Sequence, residues 1–289
     1  MANQGMAPPT AHHPRAGGNV PPVRRLSVLM PVYNEEATVA TIVGRVTAVR
    51  LPLEVELVAV DDGSSDASFS ILHALAADEP RLRVVRHRRN LGKGAAVRTA
   101  IKHMTGDVAV VQDADLEYNP ADIPRLLAPI LAGEADAVFG TRFPRGGPRS
   151  SPWWHWLVNH FLTEAANVAA GLNLTDMETC YKLVRADLLR QVSLKSRAFT
   201  FEPELSCRLA QAGARICEVP ISYHYRTWSQ GKKIGPRDAF EALAELFRCQ
   251  ALDPCWQRAI PPLRSPELHA KTASHTPQAG RRPACATHD

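Results

Sequence analysis

No run of about 18 apolar residues occurs in this 289-residue chain, so no membrane-spanning helix is expected. The first 25 residues contain no apolar core of the sort a secretory leader carries. Six cysteines are present at positions 180, 207, 217, 249, 255 and 285, but none makes a CxxC pair and their spacing is not that of a zinc site. Reduced thiols and a cytoplasmic setting, with membrane contact no more than peripheral, are the expectation. Neither GxxxxGK[ST] nor GxGxxG is present, which argues against a P-loop ATPase and against a nicotinamide dehydrogenase. Aromatic residues make up 6% of the chain, and none interrupts the basic stretch 80–106, so the aromatic interleaving of a nucleic-acid reader is missing.

The chain does have a formal charge of +5. Its location matters more than its size. Residues 1–25 contain three arginines and no acid, and residues 252–289 contain five basic and three acidic residues. Between them, 26–251 balances 26 bases against 26 acids, so the expected folded region is neutral. The two ends also hold 11 of the 23 prolines, which marks them as tails flanking one domain over 26–251.

Within that domain, strand-like and helix-like segments alternate. Strands are predicted at 26–32, 53–60, 82–87, 108–112 and 137–140, and helices at 35–49, 68–77, 92–104 and 121–132. Val39, Ile42, Val43 and Val46 show the helical spacing most clearly. Such alternation predicts an α/β fold with a mostly parallel sheet covered by helices. The second half, 143–251, reads as mixed: helices at 151–171, 201–212 and 236–249, and short strands at 181–184 and 215–219.

Open parallel sheets bind ligands beyond the carboxyl ends of their strands. The five strands of the first half are followed by Pro31-Val32-Tyr33-Asn34-Glu35-Glu36, Asp61-Asp62-Gly63-Ser64-Ser65-Asp66, Arg89-Asn90-Leu91-Gly92-Lys93-Gly94, Asp113-Ala114-Asp115-Leu116-Glu117 and Gly140-Thr141-Arg142. Polar, charged and glycine residues thus recur at one rim. In an extended segment Asp113, Asp115 and Glu117 would point to one side, and three carboxylates held together call for a hard divalent ion, Mg²⁺ or Mn²⁺. A solvated acidic turn is the plainer alternative. Asp61 and Asp62 could bond a nucleobase and ribose, or could simply build a tight turn, and Asp66 reads better as a helix cap than as a ligand. Arg89 and Lys93 flank a glycine turn that opens a helix, a geometry able to bring backbone N–H groups to phosphate. The histidines, His87 among them, show no metal or triad spacing and read as structural.

Together PVYNEE, VDDGSSD, RNLGKGAA, QDADLE and FGTRF resemble the family 2 glycosyltransferases of GT-A fold, and most of all the dolichol- and polyprenyl-phosphate sugar synthases. The second half agrees through Thr175-Asp176-Met177-Glu178-Thr179-Cys180-Tyr181-Lys182, Phe201-Glu202-Pro203-Glu204, Glu218-Val219-Pro220-Ile221-Ser222-Tyr223, Arg226 and Gly231-Lys232-Lys233-Ile234. The resemblance implies a nucleotide-sugar donor whose nucleoside lies against Pro31, Tyr33, Glu35 and Asp62, with Asp61, Lys93 and Ala114 also on the donor side. It implies a metal on the diphosphate held by Asp113 and Asp115. Glu117 stands where the mannose synthases often carry Gln. It places Arg142 at the reaction centre, and Arg226 with Lys232 or Lys233 on the phosphates.

The activity so implied is inverting transfer of a hexose, mannose or glucose, to a polyprenyl phosphate, an acceptor already anionic. A hydroxyl acceptor on a cell-envelope glycan would instead need a base, for which Asp176 or Glu178 is the candidate. A non-catalytic protein that binds nucleotide sugar, or nucleic acid through the basic stretch, is the alternative of another class. Residues 150–163 contain Trp153, Trp154, Trp156, Leu157, Val158, Phe161 and Leu162 with no Asp, Glu, Lys or Arg beyond Ser150. That segment is either a core helix or an interfacial helix beside a lipid acceptor.

Overall fold

The computed structural model describes residues 22–143, 153–196, 200–226 and residue 244. The Lys232-Lys233 pair, nearly all of the expected 236–249 helix, both tails and the side chains of Trp153 and Trp154 lie outside the described residues.

Seven strands form one sheet: β1 (Arg25–Val32), β2 (Glu54–Asp61), β3 (Leu82–Arg86), β4 (Val108–Val111), β5 (Ala137–Thr141), β6 (Lys182–Arg185) and β7 (Ile216–Pro220). Their order across the sheet is β3-β2-β1-β4-β6-β5-β7. All neighbours run parallel except that β6 is antiparallel to both β4 and β5. The inner strands read as unbroken apolar runs because helices cover both faces of such a sheet: Leu26, Val28, Leu29 and Met30 of β1 and Leu57 to Val60 of β2 are fully buried.

Between the strands lie α1 (Val39–Ala48), α2 (Ser68–Asp78), α3 (Lys93–His103) and α4 (Ile123–Leu131). The four residues of α1 that show helical spacing are the four it buries. Asn119 opens the segment before α4, its side-chain oxygen accepting from Ala121 N–H, and Pro124 occupies the first turn of the helix, where proline is tolerated. The second half adds α5 (Trp153–Ala170), α6 (Ala186–Gln191) and α7 (Phe201–Gln211).

Two features differ from the sequence reading. The strand expected at 181–184 is present one residue later and runs against the rest of the sheet, and α6 was not anticipated. At six residues α6 is too short to show a period. The chain order reverses at β1, with β2 and β3 on one side and β4 on the other. Ligands of open α/β sheets bind at such a switch point, beyond the strand ends.

Candidate active site

The loops after β1 and β2 lock together. Asn34 adopts a left-handed backbone (φ +53°), a conformation Asn tolerates, and its side-chain oxygen accepts from Ser65 N–H at 2.9 Å. Ser64 and Ser68 hydroxyls accept from the N–H groups of Asn34 and Glu35. Asp66 accepts from Glu36 and Ser68 N–H, so it caps the entry to α2 and also ties the two loops. Pro31, Tyr33 and Glu35 are thereby held, half-buried, over the carboxyl end of β1.

Asp61 and Asp62 are buried. Asp62 accepts from Leu91 N–H (3.0 Å) and Gly92 N–H (2.7 Å) and pairs with His87 Nδ1 at 2.6 Å. The glycine turn expected to offer its amides to phosphate therefore gives two of them to Asp62. This close approach depends on Gly63, which has φ +71° and where a Cβ would lie 2.5 Å from the Arg89 backbone. His87, read as merely structural, is a bridge: its Nε2 reaches the Thr99 hydroxyl at 2.9 Å while Nδ1 steadies Asp62. Asp61 Oδ2 lies 3.3 Å from both Ser64 N and Arg86 Nε. Its Oδ1 is buried with no hydrogen-bond partner among the described residues.

The Asp113–Glu117 segment is a turn, not the extended stretch expected, because Leu116 takes φ +65°. The three carboxylates take different partners. Lys93 Nζ lies 2.9 Å from both oxygens of Asp113. Asp115 Oδ1 accepts from Glu117 N–H and Oδ2 from Arg226 Nη2, each at 3.1 Å. Glu117 turns to the other side, where Oε2 accepts from Tyr223 O–H (2.9 Å) and Oε1 from Arg226 N–H (3.0 Å). A bridge between Tyr118 and Tyr223 completes this seam. Among the described residues no three His, Cys, Asp or Glu side chains are grouped to hold a metal. Each of the three carboxylates expected as a metal triad is taken by a protein partner, and Glu117 braces the segment that carries Arg226.

Asp113 and Asp115 are the carboxylates that could hold a hard cation. Burial, then the negative charges of Asp113 and Glu117, push the Asp115 carboxyl up to about 7 despite Arg226. That crowding of negative charge is what a divalent ion relieves, and an all-oxygen donor set suits Mg²⁺ or Mn²⁺. Ala114, between the two, is buried.

Arg142 follows β5. Its Nε and Nη2 make a two-pronged pair with Asp176 at 2.7 Å each, and its backbone N–H reaches the same carboxylate at 3.0 Å. The guanidinium also lies 5.1 Å from the Tyr223 ring centroid. Burial opposes the Arg142 charge, but Asp176 outweighs it and holds the pKa well above the ordinary arginine value. Asp176 is fully buried. Its loop is held by Glu218, which accepts from the N–H groups of Thr175 and Asp176. Asp176 is thus buried in an ion pair, and its oxygens are committed to orienting Arg142, a setting that suits positioning better than taking an acceptor proton. Glu178 has a buried oxygen with no hydrogen-bond partner among the described residues, and burial followed by the charge of Glu202 raises its carboxyl to about 7.

Sequence reasoning gave Glu202 and Glu218 no role of their own and missed that of His87. The first two lay in plain sight within motifs, whereas His87 belonged to none. Arg226 also contacts Glu35 at 3.4 Å, so it joins the β1 loop to the Asp113–Glu117 turn.

On the outside, α5 buries Asn159, Leu162, Thr163 and Ala166 and exposes Leu157, Val158, Phe161 and Val168. One face of this helix is therefore core, as one expectation had it, and the other is exposed and apolar. No helix among the described residues is long and apolar enough to cross a membrane.

A family model described as glycosyl transferase family 2 matches residues 27–193. Polyprenol monophosphomannose synthase of Mycolicibacterium smegmatis is 30% identical over 236 residues, spanning 78% of this chain and 88% of that protein. Undecaprenyl-phosphate mannosyltransferase of Micrococcus luteus is 31% identical over 222 residues, 73% of this chain and 88% of that one. Among solved structures, glucosyl-3-phosphoglycerate synthase from Mycobacterium tuberculosis, in complex with Mn²⁺, uridine diphosphate and glucosyl-3-phosphoglycerate, aligns with a TM-score of 0.61 at 22% identity, covering 80% of this chain and 81% of that one. At that identity the likeness concerns the fold, and it meets the GT-A expectation.

Proposed function

The chain belongs to glycosyl transferase family 2 and is a glycosyltransferase, and from that premise we propose that it moves a hexose, mannose first among candidates, from a nucleotide sugar to a polyprenyl phosphate with inversion. The observation that carries this reading is the gathering of Lys93, Arg142 and Arg226 with Asp113 and Asp115 at one sheet rim, while Asp176 is buried and ion-paired to Arg142. Cations suit two phosphorylated substrates, and a phosphate acceptor needs no base.

Each residue then has a task. Pro31, Tyr33, Glu35 and Asp62 line the nucleoside, and the unpartnered oxygen of Asp61 suits a base N–H. Asp113 and Asp115 would hold Mg²⁺ or Mn²⁺, which would supply positive charge to the donor diphosphate. Arg226, with Lys232 or Lys233, adds positive charge at that leaving group. Stabilisation there accelerates transfer because the charge grows toward the transition state. Arg142, aimed by Asp176, receives the acceptor phosphate. Attack by a phosphate oxygen on the anomeric carbon, opposite the departing diphosphate, gives inversion.

The exposed apolar face of α5 supports peripheral contact with a lipid surface. The connection from Arg142 to α5 contains Arg145 and Arg149 and no acid, a composition that favours anionic headgroups, and Trp153, Trp154 and Trp156 suit the same boundary. The test is a panel of nucleotide sugars with Mg²⁺ or Mn²⁺ and polyprenyl phosphate. Radiolabel moving to the organic phase supports the reading. Transfer only to a water-soluble glycan would replace the acceptor.

A further inference from the structure

The motif Phe201-Glu202-Pro203-Glu204 opens α7, on the far side of the chain from the metal-side turn in sequence. Its two acids behave differently. Glu204 is occupied locally, its carboxylate accepting from Lys195 and Ser196 N–H. Glu202 is buried, and its Oε1 lies 2.7 Å from Lys93 Nζ, while Oε2 has no hydrogen-bond partner among the described residues. One half-buried ammonium therefore stands between two carboxylates, Asp113 at 2.9 Å and Glu202 at 2.7 Å.

We propose that Glu202 is a positioning residue that shares Lys93 with Asp113, so that Asp113 keeps the net negative charge needed to take a divalent cation. This rests on the reading of Asp113 as a metal-side carboxylate. Lys93 and Asp113 alone would form a neutral closed pair, in which the ammonium occupies the carboxylate and leaves no net negative charge to draw a cation. With Glu202 the trio carries one net negative charge. The ammonium has three donor hydrogens, enough to stay with Glu202 when Asp113 turns to another partner.

The charge count makes the test specific. Mn²⁺ alone is the probe, titrated into nucleotide-free protein and read from the EPR signal of the free ion. Glu202→Gln should weaken binding about tenfold, since it makes the trio neutral beside a dication. Lys93→Gln with Glu202→Gln restores the net charge and should return affinity to within about threefold of the starting protein. Lys93→Gln alone should bind Mn²⁺ more tightly than the starting protein, and it keeps the proposal testable if Glu202→Gln does not fold. The proposal is overturned if Glu202→Gln binds Mn²⁺ unchanged, if the double variant is as weak as the single, or if Lys93→Gln alone binds more weakly. Asp113→Asn separates the two levels: if it binds Mn²⁺ like the starting protein, the metal-side reading fails and takes the proposal with it, whereas its loss beside an unchanged Glu202→Gln sinks the Glu202 role alone.

Discussion

Asp176→Asn separates a residue that aims Arg142 from one that moves a proton. The carboxylate is fully buried and accepts three hydrogen bonds from Arg142, at 2.7, 2.7 and 3.0 Å. Removing one partner of a buried ion pair costs about 3–5 kcal/mol, because the other charge is left uncompensated. Asn keeps one acceptor oxygen, so the lower figure, about 3 kcal/mol, applies. With a urea slope of about 3 kcal/mol/M, the unfolding midpoint should fall by about 1 M. Transfer should fall about 100-fold through misplacement of the guanidinium. The pH profile of kcat/KM should keep its shape, since no proton passes through Asp176. The double variant Arg142→Met with Asp176→Leu should recover most of the stability, as apolar replacement of a buried pair commonly does, and remain inactive. A wild-type midpoint for Asp176→Asn, or loss of the acid limb of its pH profile, would refute the positioning role.

Asp115→Ala should abolish transfer while far-UV circular dichroism stays unchanged; an active variant would remove Asp115 from the metal side. Gly63→Ala should destabilise by at least about 2 kcal/mol in urea unfolding and raise KM for the donor, because the left-handed backbone and the 2.5 Å approach to Arg89 leave no room for a Cβ. Glu178 should make stability fall as pH rises from 4.5 to about 7, since in that window the folded chain retains a proton that the unfolded chain has released. Glu178→Gln should flatten that slope, read as Tm at pH 5 and pH 8. Replacing Leu157 and Phe161 by Ser, both on the exposed face of α5, should lower flotation with anionic liposomes without lowering Tm; unchanged flotation would exclude that face.

The first half of the fold was readable because its physics is local. The central stretches of β1, β2 and β4 (Val28–Met30, Leu57–Val60 and Val108–Val111) are covered on both faces and are apolar, and α1 buries the residues its spacing singles out. The reversal of β6 was not readable. Direction leaves no mark on a four-residue strand, and its Lys182 is buried against the carbonyls of Met177 and Thr179. At the site, the motifs located the rim but not its wiring. Leu116 gives no sign of a left-handed backbone, so the acidic segment read as extended. The amides of Leu91 and Gly92 read as free for phosphate because their acceptor, Asp62, lies about 30 residues earlier in the chain.

The place of β6 has a practical consequence. It comes from the second half of the chain yet hydrogen-bonds β4 on one side and β5 on the other. The two halves of the chain, which we propose serve donor and acceptor, are therefore woven into one sheet and cannot be exchanged like cassettes. A chimera that grafts residues 143–226 of a relative onto this donor half must match the β4–β6–β5 register before it can inherit a new acceptor preference. Re-engineering of the acceptor is better directed at side chains on the loops around Arg142 and Asp176 than at a swap of segments.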